Sequence, residues 1–515
     1  MSTLPWITVL IALPIIAAAL LWFVPALHKV ARAYGLVVSL VVVAIAVAMA
    51  TQFDVADAAR VQLTQTAPWI PAMGVSYAVG VNGLGLVMVL LAVGLVPVVI
   101  ASDWRAVPDD DADPALVARR RATFIALLLS LTGLMVAVFA ARDLFLFYVV
   151  FEVMLLPVYF LIGMFGGPNR RAAAVKFLLY SLAGGLVMLV GVVVTFLNGP
   201  GGEQGFLIDN LAGVIADPTM EKWLFVAFFV AFAVKAPMWP VHTWLPDATA
   251  QATPGTSTLL VGVLDKVGTF GMLALCLPLF PNASRWAAPV IVVLAIVSLL
   301  YGALVAIGQQ DLMRFIAFTS VSHFGFIVLG IFIGSQVALT GAMFYMLAHG
   351  LSIAGLFLLG GFLTERSLEG GPTSPQARRI AAWGGMQKVT PILAGLFLVS
   401  GLASVALPGL SGFVGEYLVL IGSFPESIAA GVVATLGVVL AAVYFLLVYQ
   451  KVFTGQPSEE IAQAAESGRI TDLSARERWA MVPVVAAMLI LGFVPGPVLD
   501  LLTPISQVLA MGGAQ

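Results

Sequence analysis

A single cysteine, Cys276, stands in the 515-residue chain, inside the apolar run Gly271-Met-Leu-Ala-Leu-Cys-Leu277. One thiol forms no intrachain disulfide and no multi-thiolate metal site. Charge is equally scarce, at 10% of residues and a net −2, so there is no cationic excess with which to hold nucleic acid. The four histidines, His28, His242, His323 and His349, are far apart and form no close-spaced ligand motif, which argues against a metal or haem centre held by this chain. Neither a GxxxxGK[ST] loop nor a GxGxxG turn after a strand occurs, so ATP is not expected to drive the protein directly. The start, Met1-Ser-Thr-Leu-Pro-Trp6, lacks the charged region and cleavage site of a signal peptide, and the first apolar run is expected to be kept as a span. What is abundant is hydrocarbon. At 61% hydrophobic residues the chain is a bilayer protein rather than a string of soluble domains.

A bilayer core about 30 Å thick takes roughly 20 apolar residues per helix. Runs of that kind, bounded by charge, Gly or Pro, predict an all-α polytopic fold of about fourteen transmembrane helices. The predicted spans are 5–24, 34–50, 78–101, 122–140, 144–165, 172–197, 223–241, 255–279, 287–307, 312–333, 337–363, 390–424, 428–453 and 479–498. Alternate loops then place eighteen of the 24 Lys and Arg on one side and four on the other. That asymmetry sets both termini outward. The two cations left over, Lys235 and Lys266, lie inside the membrane.

An unpaired charge in hydrocarbon is costly, so ionisable groups within spans are the strongest functional pointers in such a sequence. Glu152 lies in the fifth span, Lys235 in the seventh, Asp265 and Lys266 in the eighth, and Glu416 in the twelfth; His323 and His349 add titratable groups to the tenth and eleventh. Two of these sit near helix breaks. Lys235 precedes Pro237 and Pro240, and Glu416 follows Leu407-Pro408-Gly409. Proline removes a backbone donor and clashes one turn back, so both spans are expected to unwind there. Interrupted helices at corresponding places in two halves are the signature of inverted-repeat transporters.

Glu152 with Pro157, the stretch Val234-Lys-Ala-Pro-Met-Trp-Pro-Val-His-Thr-Trp-Leu-Pro-Asp-Ala248, Thr253-Pro-Gly255 with Lys266, and Leu407-Pro-Gly409 with Gly415-Glu416 resemble the antiporter-like membrane subunits of respiratory complex I, NADH:quinone oxidoreductase. The resemblance runs from the third span to the last. An acid in the twelfth span is similar to the M-type branch, and the lack of a long extension beyond span fourteen argues against the L-type sister. Three positions depart from the family: Thr249 where His is frequent, Asn82 where Asp is common, and Asp265 where an apolar residue is usual. These departures resemble an actinobacterial variant.

The resemblance implies two inverted five-helix repeats with broken helices 7 and 12. The segments would be 1–121 as an N-terminal three-helix portion, 122–279 and 280–454 as the repeats, and 455–515 as a cytoplasmic connection with the last helix. It also implies a proton-translocating subunit of the oxidoreductase in a bacterial cytoplasmic (inner) membrane, an enzyme of the translocase kind with no redox site in this chain. Flavin, iron–sulfur clusters and quinone would belong to partner subunits, and the neighbours would include L-type and N-type sisters. Glu152 would pair with Lys235, Lys266 with His323 and His349 would relay protons laterally, and Glu416 would be the terminal donor or acceptor. The alternatives are an Mrp-type sodium/proton antiporter subunit and an ion-coupled solute transporter.

Overall fold

In the computed structural model, residues 4–107, 113–368 and 374–512 are described. Helices dominate. The principal ones, in chain order, are α1 (Trp6–Phe23), α2 (Ala31–Ala50), α3 (Gly83–Ser102), α4 (Pro114–Ala140), α5 (Leu144–Phe165), α6 (Arg170–Leu197), α7 (Pro218–Lys235) and α8 (Trp244–Gln251). They continue with α9 (Pro254–Leu279), α10 (Pro281–Ile307), α11 (Leu312–Phe332), α12 (Gln336–Thr364), α13 (Pro391–Ser404), α14 (Ser411–Glu426), α15 (Ile428–Phe453), α16 (Ala475–Phe493) and α17 (Gly496–Gly512).

Their starts follow from local chemistry. The Asp143 carboxylate accepts the free N–H groups of Phe145 and Leu146 at 2.9 Å to open α5, Asp311 does the same for α11, and Ser474 with Glu477 forms a reciprocal capping box on α16. Proline occupies the first helical position of α4, α7, α9 and α13, where its missing N–H costs nothing.

Burial sorts the helices into centre and rim. The membrane window of α11 is 100% buried, against 33% for α1. Leu179, Val190, Val290, Val293, Leu436 and Val439 stay exposed on α6, α10 and α15, as side chains facing lipid should. The central helices α11 and α12 pack on each other, α12 also packs on α14, and α10 lies along α11.

Among the described residues, eleven helices are long and apolar enough to cross a membrane, or twelve if the pair α16–α17, bent by 68°, is one span. The expected fourteen is not reached by that count, and the reasons are local. Helix α7 carries Glu221, Lys222 and Lys235, and the twelfth run is cut after the 14-residue α13. The last run is no single rod either, because Pro495 and Gly496 turn the chain into α17. The all-α expectation also misses a two-stranded antiparallel hairpin, β1 (Gln62–Ile70) with β2 (Val75–Val81). The third span therefore starts at Gly83 rather than Ala78, and the Asn82 side chain caps it by accepting from Gly85 N–H at 3.0 Å.

Candidate functional site

The first break follows Lys235. Ala236 leaves helical geometry, and the Met238 N–H reaches back to the Ala233 carbonyl, which strands the carbonyl of Val234. The Trp244 indole N–H, on α8, satisfies it at 2.9 Å, while Ser298 Oγ of α10 accepts from Trp239 N–H at 3.2 Å. An unpaired backbone acceptor in the interior would cost about 1–3 kcal/mol, so these two side chains hold the break open in one conformation.

Lys235 ends α7 at 1% exposure and its Nζ has no hydrogen-bond partner. It lies over the faces of Phe177 and Phe151, 5.5 and 5.6 Å from their centroids, the arrangement in which ring quadrupoles stabilise a cation. Glu152, half-buried on α5, interacts electrostatically with Lys235 but makes no hydrogen bond through Oε1. Gly185 of α6 makes room for that carboxylate, since a Cβ there would meet Oε1 at 1.6 Å.

Helix α9 departs from α-geometry on both sides of Lys266, through π-turns at Leu260–Leu264 and Met272–Cys276. Such turns recur at functional sites because they turn side chains out of phase and loosen carbonyls. Lys266 Nζ donates to the Val261 carbonyl at 2.6 Å and lies 2.7 Å from His349 Nδ1 on α12. Gly262 and Gly350 allow that approach: a Cβ on Gly350 would sit 2.9 Å from the Gly262 carbonyl. The rings of His349 and His323 are 5.4 Å apart, centroid to centroid.

His323 on α11 begins an unbroken hydrogen-bonded group. Its Nδ1 is 2.6 Å from Tyr345 Oη on α12, and Tyr345 donates to Glu416 Oε2 at 3.4 Å. Its Nε2 meets Ser404 Oγ at 3.0 Å and Tyr444 Oη at 3.1 Å. Ser404 is the last residue of α13 and Glu416 sits early in α14, so the second break brackets the group. At that break Ala406 and Gly409 take positive φ (57° and 90°), and Pro408 lies between them. Gly412 packs so tightly on α13 that a Cβ would fall 2.0 Å from the Ala403 carbonyl, and Gly415 rests against Tyr345.

The protons of this group can be placed in two self-consistent ways. In one, His323 Nδ1–H donates to Tyr345, Tyr345 donates to Glu416, and Nε2 accepts. In the other, which holds one proton more, every bond reverses: His323 carries its proton on Nε2 and donates from there, Tyr345 donates to Nδ1, and a protonated Glu416 donates to Tyr345. A chain that can point either way passes a proton along without moving heavy atoms.

Six of the seven titratable residues singled out from sequence thus follow one another in a row through the interior: Glu152, Lys235, Lys266, His349, His323 and Glu416. Pro237 and Pro408 lie at its two breaks. Tyr345, Tyr444 and Ser404 complete it and were not singled out, because a buried tyrosine or serine in an apolar helix carries no sign of what it faces. Thr249 is buried at 0% exposure and donates to the Leu245 carbonyl at 3.0 Å, an ordinary helix back-bond that joins nothing to the row.

Where α8 meets its neighbours, Asp247 bridges Lys176 at 2.6 Å and Arg314 at 2.5 Å, and Arg378 donates both to Asp311, at 2.9 Å, and to the Ala250 carbonyl. These contacts tie α6, α8 and the start of α11 together. Just beyond α12, the Glu365 carboxyl is pushed up to about 7, chiefly by burial and further by the charges of Asp103 and Glu477.

Broken helices flanking a buried row of acids and bases define the class: antiporter-like, ion-translocating membrane subunits. Residues 141–441 match the family described as NADH:quinone oxidoreductase/Mrp antiporter, TM. The chain is 43% identical over 98% of its length to NADH-quinone oxidoreductase subunit M of Mycobacterium tuberculosis, covering 94% of that protein. It is 36% identical over 96% of its length to the Escherichia coli subunit M, covering 95% of it. A chain of respiratory complex I from Thermus thermophilus superposes with a TM-score of 0.84 at 30% identity, over 98% of this chain and 99% of that one. A chain of the Mrp complex from a Dietzia species shares the fold at the same TM-score but at 22% identity, over 99% and 98% of the two chains. The chain belongs to this family of membrane subunits, and its relatives at 36–43% identity include M subunits of NADH-quinone oxidoreductase.

Proposed function

We propose that the protein is a proton-translocating membrane-arm subunit of an NADH:quinone oxidoreductase, moving protons along the row from Glu152 to Glu416 under the drive of redox chemistry in partner subunits. The observation that carries this reading is the row itself. A structural ion-pair clip would close each charge with a partner, whereas Glu152 Oε1, Lys235 Nζ, His349 Nε2 and Glu416 Oε1 are buried and have no protein partner.

The magnitudes suit a pump. Two unit charges about 4 Å apart at an effective dielectric near 20 interact by about 4 kcal/mol, and moving one charge through about 100 mV takes about 2.3 kcal/mol. Opening and closing one Glu–Lys or Asp–Lys contact is therefore enough to load or expel a proton against a membrane potential. On this reading flavin, iron–sulfur clusters and quinone reside in the partner subunits, L-type and N-type sisters flank the chain, the assembly acts as a translocase in the bacterial inner membrane, and both termini face outward. The segments 122–279 and 280–454 act as two inverted repeats, each centred on one break.

An Mrp-type antiporter role is the weaker reading, since that likeness rests on fold at 22% identity while the subunit M relatives reach 43%. The decisive measurement is NADH-driven acidification of vesicles containing the assembled complex. Lys235→Ala should abolish it at normal assembly, and unchanged pumping would refute the reading.

A further inference from the structure

One buried charge stands outside the row as read from the family. Asp265 is 0% exposed and neither carboxyl oxygen has a hydrogen-bond partner. Bare carboxylates in an apolar interior are rare, because each unmet oxygen forfeits its hydration for nothing. The surroundings explain what meets it. Asp265 is the junction residue of α9, where the first π-turn ends and a regular turn begins, its own N–H donating to Leu260 at 3.0 Å. Three residues on, and so on the same helical face, Gly268 lies against the end of α7: a Cβ there would be 2.6 Å from both the Ala236 nitrogen and the Phe232 carbonyl. Another turn on, Gly271 packs on the Phe232 ring. The Asp265 face of α9 is thus pressed onto the residues that bracket Lys235. Its sequence neighbour Lys266 leaves the helix in a different direction, toward Val261 and His349.

The charge interactions agree with this placement. Lys235 interacts with Asp265 ahead of Glu152, Lys266 has Asp265 as its acidic neighbour, and Asp265 interacts with both lysines. One carboxyl group therefore stands within electrostatic reach of two basic groups on different helices.

We infer that Asp265 is a positioning residue for proton transfer, a shared counter-charge that the two buried lysines exchange. With Lys235 as ammonium and Lys266 as amine, the carboxylate is held by α7. When a proton leaves Lys235 Nζ and one is taken up at Lys266 Nζ, the carboxylate serves Lys266 instead. The number of protons is unchanged, Asp265 stays ionised, and only its partner changes. Because it cannot satisfy both lysines fully, protonation of one disfavours protonation of the other, which links the Glu152–Lys235 half of the row to the His349–Glu416 half. Glu152 alone gives no such link, since the base it interacts with is Lys235.

The inference rests on the proton-pumping reading, and the test separates the two. Asp265→Asn, Asp265→Glu and Asp265→Leu, with Lys235→Met and Lys266→Met as references, are built into the full complex, and proton uptake per NADH oxidised is measured in membrane vesicles with assembled complex quantified on native gels. Asp265→Asn should lower uptake per NADH by about fivefold or more at unchanged assembly, the low end of coupling between linked sites. Asp265→Glu should recover most of it, which a purely structural role would not predict from a longer side chain in a tight site. Adding Asp265→Asn to Lys266→Met should cost nothing further. Wild-type uptake in the Asn or Leu variant, beside defective lysine variants, overturns the shared counter-charge alone. Wild-type uptake in both lysine variants overturns the pumping reading itself. Should Asn assemble poorly, the Glu and Leu variants decide: equal uptake in the two overturns the inference, and Glu well above Leu upholds it.

Discussion

The two breaks solve the same steric problem and surround opposite chemistry. Around the first, Lys235 and Asp265 are buried and Glu152 half-buried, with few or no hydrogen bonds, and Lys235 is steadied by the faces of Phe151 and Phe177. Around the second, His323 is bonded at both nitrogens, through Tyr345 on one side and Ser404 and Tyr444 on the other. Bare charges respond strongly to any change in a neighbouring charge, because nothing local screens them. In a connected hydrogen-bond chain each bond polarises the next, so a change at one end is felt along its length. On the proton-pumping reading proposed above, the difference assigns sensing and switching to the first half and conduction to the second.

That contrast can be broken by substitution. The largest effects belong to the bare charges: Lys235→Met or Lys266→Met should cut NADH-driven proton uptake by about tenfold or more, because no other side chain at the position can carry the charge. Next comes the conducting half. Tyr345→Phe removes the hydroxyl between His323 and Glu416, and uptake should fall about threefold to tenfold, within the range of a lost proton-transfer group. Glu416→Gln should fall in the same range. Pumping unaffected by either change would move the exit away from this chain of bonds.

A smaller effect, on stability rather than pumping, is expected for Trp244→Phe. It leaves the Val234 carbonyl unpaired, worth about 1–3 kcal/mol, and should lower the temperature at which the assembled complex falls apart while the remaining complex pumps normally. Smallest is Arg142→Gln, at the ion pair with Asp209, whose side chain is 75% exposed. Thermal unfolding should change by less than about 1 kcal/mol, as for other exposed pairs.

Much of this arrangement was legible before any coordinates. Hydrocarbon content, the prolines at 237 and 408 and the charges inside apolar runs give the membrane fold, the two breaks and six members of the row. Other parts depend on what faces what. Tyr345 reads as a core aromatic until α11 supplies His323 beside it, and Ser404 reads as a small helix residue until the chain turns at Ala406. The hairpin 62–81 hides because Val75, Val79 and Val81 extend the apolar run of α3, so hydropathy alone runs strand and helix together. The bend at Pro495 was masked in the same way by apolar residues on either side. A count by length and composition reaches eleven or twelve among the described residues rather than fourteen, since a broken span offers two short pieces rather than one long one.

The paired π-turns in α9 make reading phase a functional variable. Each holds one residue more than an α-turn needs, and each residue advances a helix by about 100°. Deleting one residue from Leu260–Leu264 would let that stretch relax to ordinary winding and swing everything after it around the axis by about that angle. Asp265 would no longer look at α7, nor Lys266 at His349, although every amino acid that matters would still be present. In this helix the spare residue, as much as any charged side chain, decides which neighbour each buried charge meets.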